Sequence, residues 1–179
     1  MSKIGKKKIL IPSDVKVTLN SDLIEIVGPK GNKKIDFDKK VFDVDIKENK
    51  ELFIKPKNLN DEVKKFWGMK RSLINSAIIG VNKGYEKRLE RTGVGFRAAI
   101  KGESLNLQLG FSHDINFKIP KDVKIIVEKQ TTININGSDK QQVVMIASQI
   151  KALRPTEPYK GKGIKETGEY TLRKEGKKK

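Results

Sequence analysis

Apolar positions in the first third of the chain recur with a period of two. Val15, Val17 and Leu19 alternate with Lys16 and Thr18, and Ile24 and Ile26 lead into the turn signal Gly28-Pro29-Lys30-Gly31. Ile35 and Phe37 follow, then Phe42, Val44 and Ile46, then Leu52 and Ile54, and Pro56 and Asn58 close the series. Such alternation puts one face of a strand against a core and the other in water. From Asp61 the period changes. Val63, Phe66, Trp67, Ile74, Ala77, Ile78 and Val81 recur at helical spacing with Lys64, Lys65, Arg71 and Asn75 between them. This predicts an amphipathic helix of about 20 residues, capped at Asn60 or Asp61, whose Lys64, Lys65 and Arg71 face is simply solvated.

The second half repeats the plan. Alternating runs at 96–100, 105–109, 115–119, 123–127 and 133–135 precede a helix with Val143, Ile146, Ala147, Ile150 and Leu153 on one face, entered through Asn136-Gly137-Ser138-Asp139. A shift of 81 residues superposes Ile24 and Ile26 on Leu105 and Leu107, and Leu52 and Ile54 on Ile133 and Ile135. It also brings the two helices into coincidence, with a one-residue slip between Gly28 and Phe37. The expected fold class is therefore α+β. It consists of two similar tandem domains, each an antiparallel β-sheet packed against one α-helix, with an extended basic C-terminal tail. The boundaries fall at 1–81, 82–153 and 154–179. The tail has no hydrophobic period of its own, so it is expected to add little to a core and to be disordered in isolation.

Charge narrows the function. The 179 residues contain 39 Lys and Arg against 22 Asp and Glu, a net charge of +17. That excess repels itself unless a polyanion neutralises it, and nucleic acid is the usual one. No run approaches the ~18 apolar residues of a spanning helix. The basic start, Met1 to Lys8, has no apolar signal core behind it, and there is no cysteine for a disulfide or thiolate metal site. The chain reads as soluble and cytoplasmic.

Catalytic patterns are weak. Ser112-His113-Asp114 holds triad residue types, but three consecutive side chains diverge, and a triad is a convergent arrangement. His113 is the one histidine, which removes His-cluster metal sites. Gly93-Val94-Gly95-Phe96-Arg97-Ala98 fits a dinucleotide fingerprint only if a helix starts there, whereas Phe96, Ala98 and Ile100 alternate as a strand, so a tight turn or bulge is expected. No enzyme, cofactor, metal or small-molecule substrate is expected.

The chemistry that stands out is basic. In Arg154-Pro155-Thr156-Glu157-Pro158-Tyr159-Lys160-Gly161-Lys162-Gly163-Ile164-Lys165 the prolines stiffen an extended chain, and Tyr159 can stack on a base. Lys160, Lys162 and Lys165 alternate with Gly161 and Gly163, which would let the backbone approach phosphates closely. Lys6 and Lys7 in the N-terminal lysine run are a second, weaker candidate. Arg88, Arg91 and Arg97 surround the glycine turn at Gly93, and arginine suits bidentate phosphate recognition.

Several of these strings together resemble a known family. Met1-Ser2-Lys3-Ile4-Gly5-Lys6-Lys7 with Ile11-Pro12, Val27-Gly28-Pro29-Lys30-Gly31, Gly93-Val94-Gly95-Phe96-Arg97-Ala98, Leu109-Gly110-Phe111-Ser112-His113 and Gly137-Ser138-Asp139-Lys140-Gln141 resemble the bacterial large-subunit (50S) ribosomal protein six family. The most specific match is Glu157-Pro158-Tyr159-Lys160-Gly161-Lys162-Gly163-Ile164-Lys165. Glu166 departs from the family, which usually has an aromatic residue there. The resemblance implies duplicated α+β domains bound to 23S rRNA near the stalk base and the sarcin–ricin loop, beside neighbouring ribosomal proteins and close to where translation GTPases act. It also implies that rRNA contacts come from the second domain and the tail, carried over to Gly93 and Arg97, to Ser112 and His113, and to 154–165. A basic architectural DNA-binding protein shares the charge, but neither helix shows an Arg-rich reading face. A peripheral membrane binder needs a helix with apolar residues free for lipid, and both helices are expected to be committed to their sheets.

Overall fold

The structure, a computed structural model, describes residues 3–20, 23–47, 50–58 and 60–176. The opening Met1-Ser2 and the terminal Lys177 to Lys179 of the expected tail lie outside the described residues. The chain forms two compact units, Met1–Gly84 with Ser138–Lys140, and Tyr85–Gly137 with Gln141–Lys179.

The first unit contains β1 (Ile9–Leu10), β2 (Lys16–Leu19), β3 (Leu23–Gly28), β4 (Gly31–Asp36), β5 (Phe42–Lys47), β6 (Glu51–Pro56) and α1 (Asp61–Asn82). Its strands are divided between two antiparallel three-stranded sheets, β2-β3-β4 and β1-β6-β5, where the alternation had suggested one. Ile24, Ile26, Leu52, Ile54 and Phe42 from the strands, with Phe37 just after β4, share one buried cluster with Trp67, Ile74, Ala77, Ile78 and Val81 of α1. The Gly28–Gly31 turn behaves as expected and closes against the end of the helix. Lys30 N–H donates to the Val81 carbonyl at 2.9 Å. A Cβ on Gly28 would lie 2.6 Å from the Val81 side chain, so only glycine permits this approach.

Two details of α1 differ from the pattern. Asn60 occupies the cap position without a side-chain capping bond. Phe66, expected on the buried face, is 51% exposed. Trp67 takes the inward place instead, donating its indole N–H to the Ile54 carbonyl at 2.8 Å.

The second unit contains β7 (Tyr85–Thr92), β8 (Arg97–Lys101), β9 (Ser104–Gln108), β10 (Ile115–Lys118), β11 (Val123–Glu128), β12 (Thr132–Gly137), α2 (Lys140–Leu153) and β13 (Gly163–Glu166). Again there are two antiparallel sheets, β10-β9-β8 and β11-β12-β7-β13. Leu89, Leu105, Leu107, Ile133 and Ile135 from the strands close on Val143, Ile146, Ala147 and Ile150 of α2.

The tail differs most from expectation. Its middle is not a separate extended arm, because β13 pairs antiparallel with β7, placing Ile164 opposite Arg91. Ile164 is fully buried in the second core. Lys151 on α2 holds Glu169 at 2.6 Å, and Lys87 holds Glu166 at 2.5 Å. Hydrogen bonding from Lys151, then from the Glu166 amide, keeps the Glu169 carboxyl below the usual carboxylate range. Deleting 155–179 would therefore remove core, contrary to the reading of this segment as dispensable for stability.

Candidate nucleic-acid interface

Three loops of the second unit come together through direct contacts. The first is the turn from β7 to β8. Gly95 has φ +77° and Val94 is 94% exposed, a tight turn rather than a helix start, so the dinucleotide reading fails on geometry. The Phe96 ring of this turn lies 2.9 Å from where a Gly93 Cβ would be and 3.1 Å from that of Gly110, which ties it to the second loop, residues 109–114. There Phe111, Ser112 and His113 are exposed. The Phe111 and His113 rings stack with centroids 6.4 Å apart, tilted by 24°. Asp114 accepts from Asn106 and Gln108 instead of turning to His113.

The third loop follows α2. The Arg154 guanidinium lies 5.1 Å from the Phe111 centroid, a cation–π contact, and the Arg154 carbonyl accepts from Ile164 N–H. Glu157 N–H then donates to the Lys162 carbonyl at 2.8 Å and Gly161 N–H to the Glu157 carbonyl at 3.1 Å. These bonds close residues 157–162 into a compact loop with Tyr159 and Lys160 exposed near its tip. Lys174 N–H donates to the Pro158 carbonyl, so the chain end folds back across it. The prolines thus shape a loop, not the extended arm expected of them.

The candidate residues separate accordingly. Arg154, Tyr159, Lys160, Lys162, Arg97, Ser112 and His113 are exposed, and Gly93 is half-buried in the turn. Gly161 and Gly163 are buried and serve the loop's own packing. Gly161 has φ +68°, and a Cβ on Gly163 would lie 2.6 Å from the Pro155 carbonyl oxygen. Lys165 is half-buried with Nζ 4.0 Å from Glu90, so its charge is partly committed. Arg91 is buried, and Arg88, ranked beside it from sequence, turns to Asn134 at 3.0 Å. Lys6 and Lys7 belong to the first unit. Their backbone is fixed by Arg71, which donates to the Lys7 and Lys8 carbonyls at 3.2 and 3.1 Å, so Arg71 is a clamp rather than a solvated charge. Lys8 pairs with Glu51 at 2.5 Å, while the side chains of Lys6 and Lys7 are exposed.

Sequence reasoning missed Phe111. It lies just beyond the strand run ending at Leu109, with no periodicity to mark it, and only the fold brings Arg154 over its ring. Among the described residues no group of three His, Cys, Asp or Glu side chains could hold a metal ion, and no helix is long and apolar enough to cross a membrane.

The sequence model of the family described as ribosomal protein L6 matches residues 11–84 and 92–167, one stretch in each unit. The chain belongs to the ribosomal protein L6 family. Membership accounts for the duplicated α+β plan and makes the chain a ribosomal protein rather than an enzyme. Proteins named large ribosomal subunit protein uL6 are similar over their full length. Those of Methylocella silvestris and Zymomonas mobilis are each 46% identical over 179 residues, and that of Beijerinckia indica is 45% identical over 179, with 100% of each chain covered.

Proposed function

We propose that this chain is a structural constituent of the large ribosomal subunit in the cytoplasm. In this reading it binds 23S rRNA mainly through the three joined loops of its second unit. One observation carries it: in an L6-family chain of charge +17, Arg97, His113, Arg154, Tyr159, Lys160 and Lys162 come from three distant stretches of sequence to one contiguous, exposed set of loops. The arginines and lysines serve phosphates, and Tyr159 and the Phe111–His113 stack offer faces to unpaired bases. Lys6 and Lys7 add a lesser contact from the first unit. The assembled position is near the stalk base and the sarcin–ricin loop, beside neighbouring large-subunit proteins and within reach of translation GTPases, where the protein supports translation.

The test is equilibrium binding of the full chain to 23S rRNA across a salt series. Six to ten phosphate contacts should weaken affinity by about a thousandfold or more between about 50 and 200 mM salt. Replacing Lys160 and Lys162 by Ala should lower the slope by about two. A flat salt dependence, or equal affinity for duplex DNA of the same length, would refute the reading.

A further inference from the structure

Among the described residues Arg91 is the single buried charged side chain, 8% exposed. Its backbone is held in the sheet by the bond from its N–H to the Thr131 carbonyl at 3.1 Å and by pairing with Ile164. Its head is not so held, because Nε and Nη1 have no hydrogen-bond partner among the described residues. Carboxylates of the same sheet are committed elsewhere. Glu90 accepts from Thr167 and faces Lys165, Glu128 accepts from Asn134, and Glu166 is taken by Lys87.

Burial, and after it the nearby Arg97 charge, push the Arg91 pKa down, yet a guanidinium remains protonated. The folded chain thus bears a desolvated cation beside a second cation, with no counterion of its own. Arg97 opens β8 across the Gly93–Gly95 turn, and nothing lies within 4 Å of a notional Cβ at Gly95.

We infer that the missing partner of Arg91 is a phosphodiester oxygen of RNA, gripped jointly by Arg91 and Arg97 beside the open Gly95 turn. Two guanidinium groups that act on each other match a tetrahedral anion with several acceptor oxygens better than a single carboxylate. Engagement swings the Arg91 head outward on its flexible stem, so binding relieves burial and repulsion together. The inference rests on the rRNA reading above for the source of the phosphate, not for the need of an anion. It makes Arg91 a residue that destabilises the free chain and strengthens the complex.

Thermal melting of the full chain and of Arg91→Met and Arg97→Gln, with and without inorganic phosphate, tests the site. Affinity for 23S rRNA tests the source. Arg91→Met should melt a few degrees higher than the parent without phosphate and should lose the rise that phosphate gives the parent. Each variant should bind rRNA about tenfold more weakly, with a salt slope lower by about one. The inference is overturned if Arg91→Met melts lower and still gains from phosphate, or if both variants bind rRNA as the parent does. Should Arg91→Met fail to fold, Arg97→Gln decides by the same readings. Loss of rRNA binding by the parent itself would sink the rRNA reading instead, and the phosphate melts alone would then show whether an anion site exists.

Discussion

Replacing Ile164 by Ala tests whether the tail is part of the second core. The side chain is 0% exposed and sits on β13, a sheet edge, so few neighbours are free to collapse into the space it leaves. Removing a fully buried isoleucine side chain down to its β-carbon costs about 2–5 kcal/mol, and about 3 kcal/mol is expected here. For a unit of roughly 90 residues, each kcal/mol shifts the melting midpoint by about 4–8 °C, so the second unit should melt about 12 °C lower or more. The assay is calorimetry of the full chain with Leu172→Ala as control. Leu172 is 65% exposed and its loss should cost under about 0.5 kcal/mol. A companion truncation after Tyr170 keeps β13 and the Lys151–Glu169 pair but removes Arg173, Lys174 and the terminal lysines. It should leave stability within about 1 kcal/mol while weakening rRNA binding. If Ile164→Ala melts within about 3 °C of the parent, the tail is not core and the argument is wrong.

Other outcomes follow from the same contacts. Trp67→Phe removes the bond to the Ile54 carbonyl and part of the ring that covers Gly5, and should destabilise the first unit by about 2–3 kcal/mol in urea unfolding. Glu169 has a depressed folded pKa, so its contribution is present above the ordinary carboxylate range and is lost as pH falls through the folded value. Glu169→Gln should accordingly narrow its stability gap from the parent in acid, and an unchanged gap would remove Glu169 from that role. A fragment of residues 1–84 should give a cooperative melt, since β1–β6 and α1 bury their own cluster. A fragment without cooperative unfolding by circular dichroism would show that the two units do not fold independently.

Much of the architecture was legible in the order of residues. Where strands alternate cleanly, as at Ile24 and Ile26 or Ile133 and Ile135, the inward side chains are the buried ones. Both helices kept their apolar faces apart from Phe66, and the duplication reflects one pattern of inward positions used twice. Charge and the Glu157–Lys165 string were enough to point to RNA, because the excess of lysine and arginine requires a polyanion whatever the fold.

Tertiary structure alone decided the rest. β7 carries Glu86, Lys87, Arg88, Glu90 and Arg91 around the single aliphatic Leu89, so no apolar alternation announced it. Yet it is an inner strand, between β12 and β13, with cross-strand pairs such as Lys87–Glu166 and Arg88–Asn134. β13 looked like solvated tail because four residues with one buried side chain, Ile164, have no period to read. Alternation reports which face of a segment is apolar. It does not report which distant segment will supply the other half of its hydrogen bonds. That pairing joins residues 91 and 164, hides the Arg91 head, and carries Arg154 over Phe111. It is set by which edges and loops meet in space, and local sequence holds no record of the meeting.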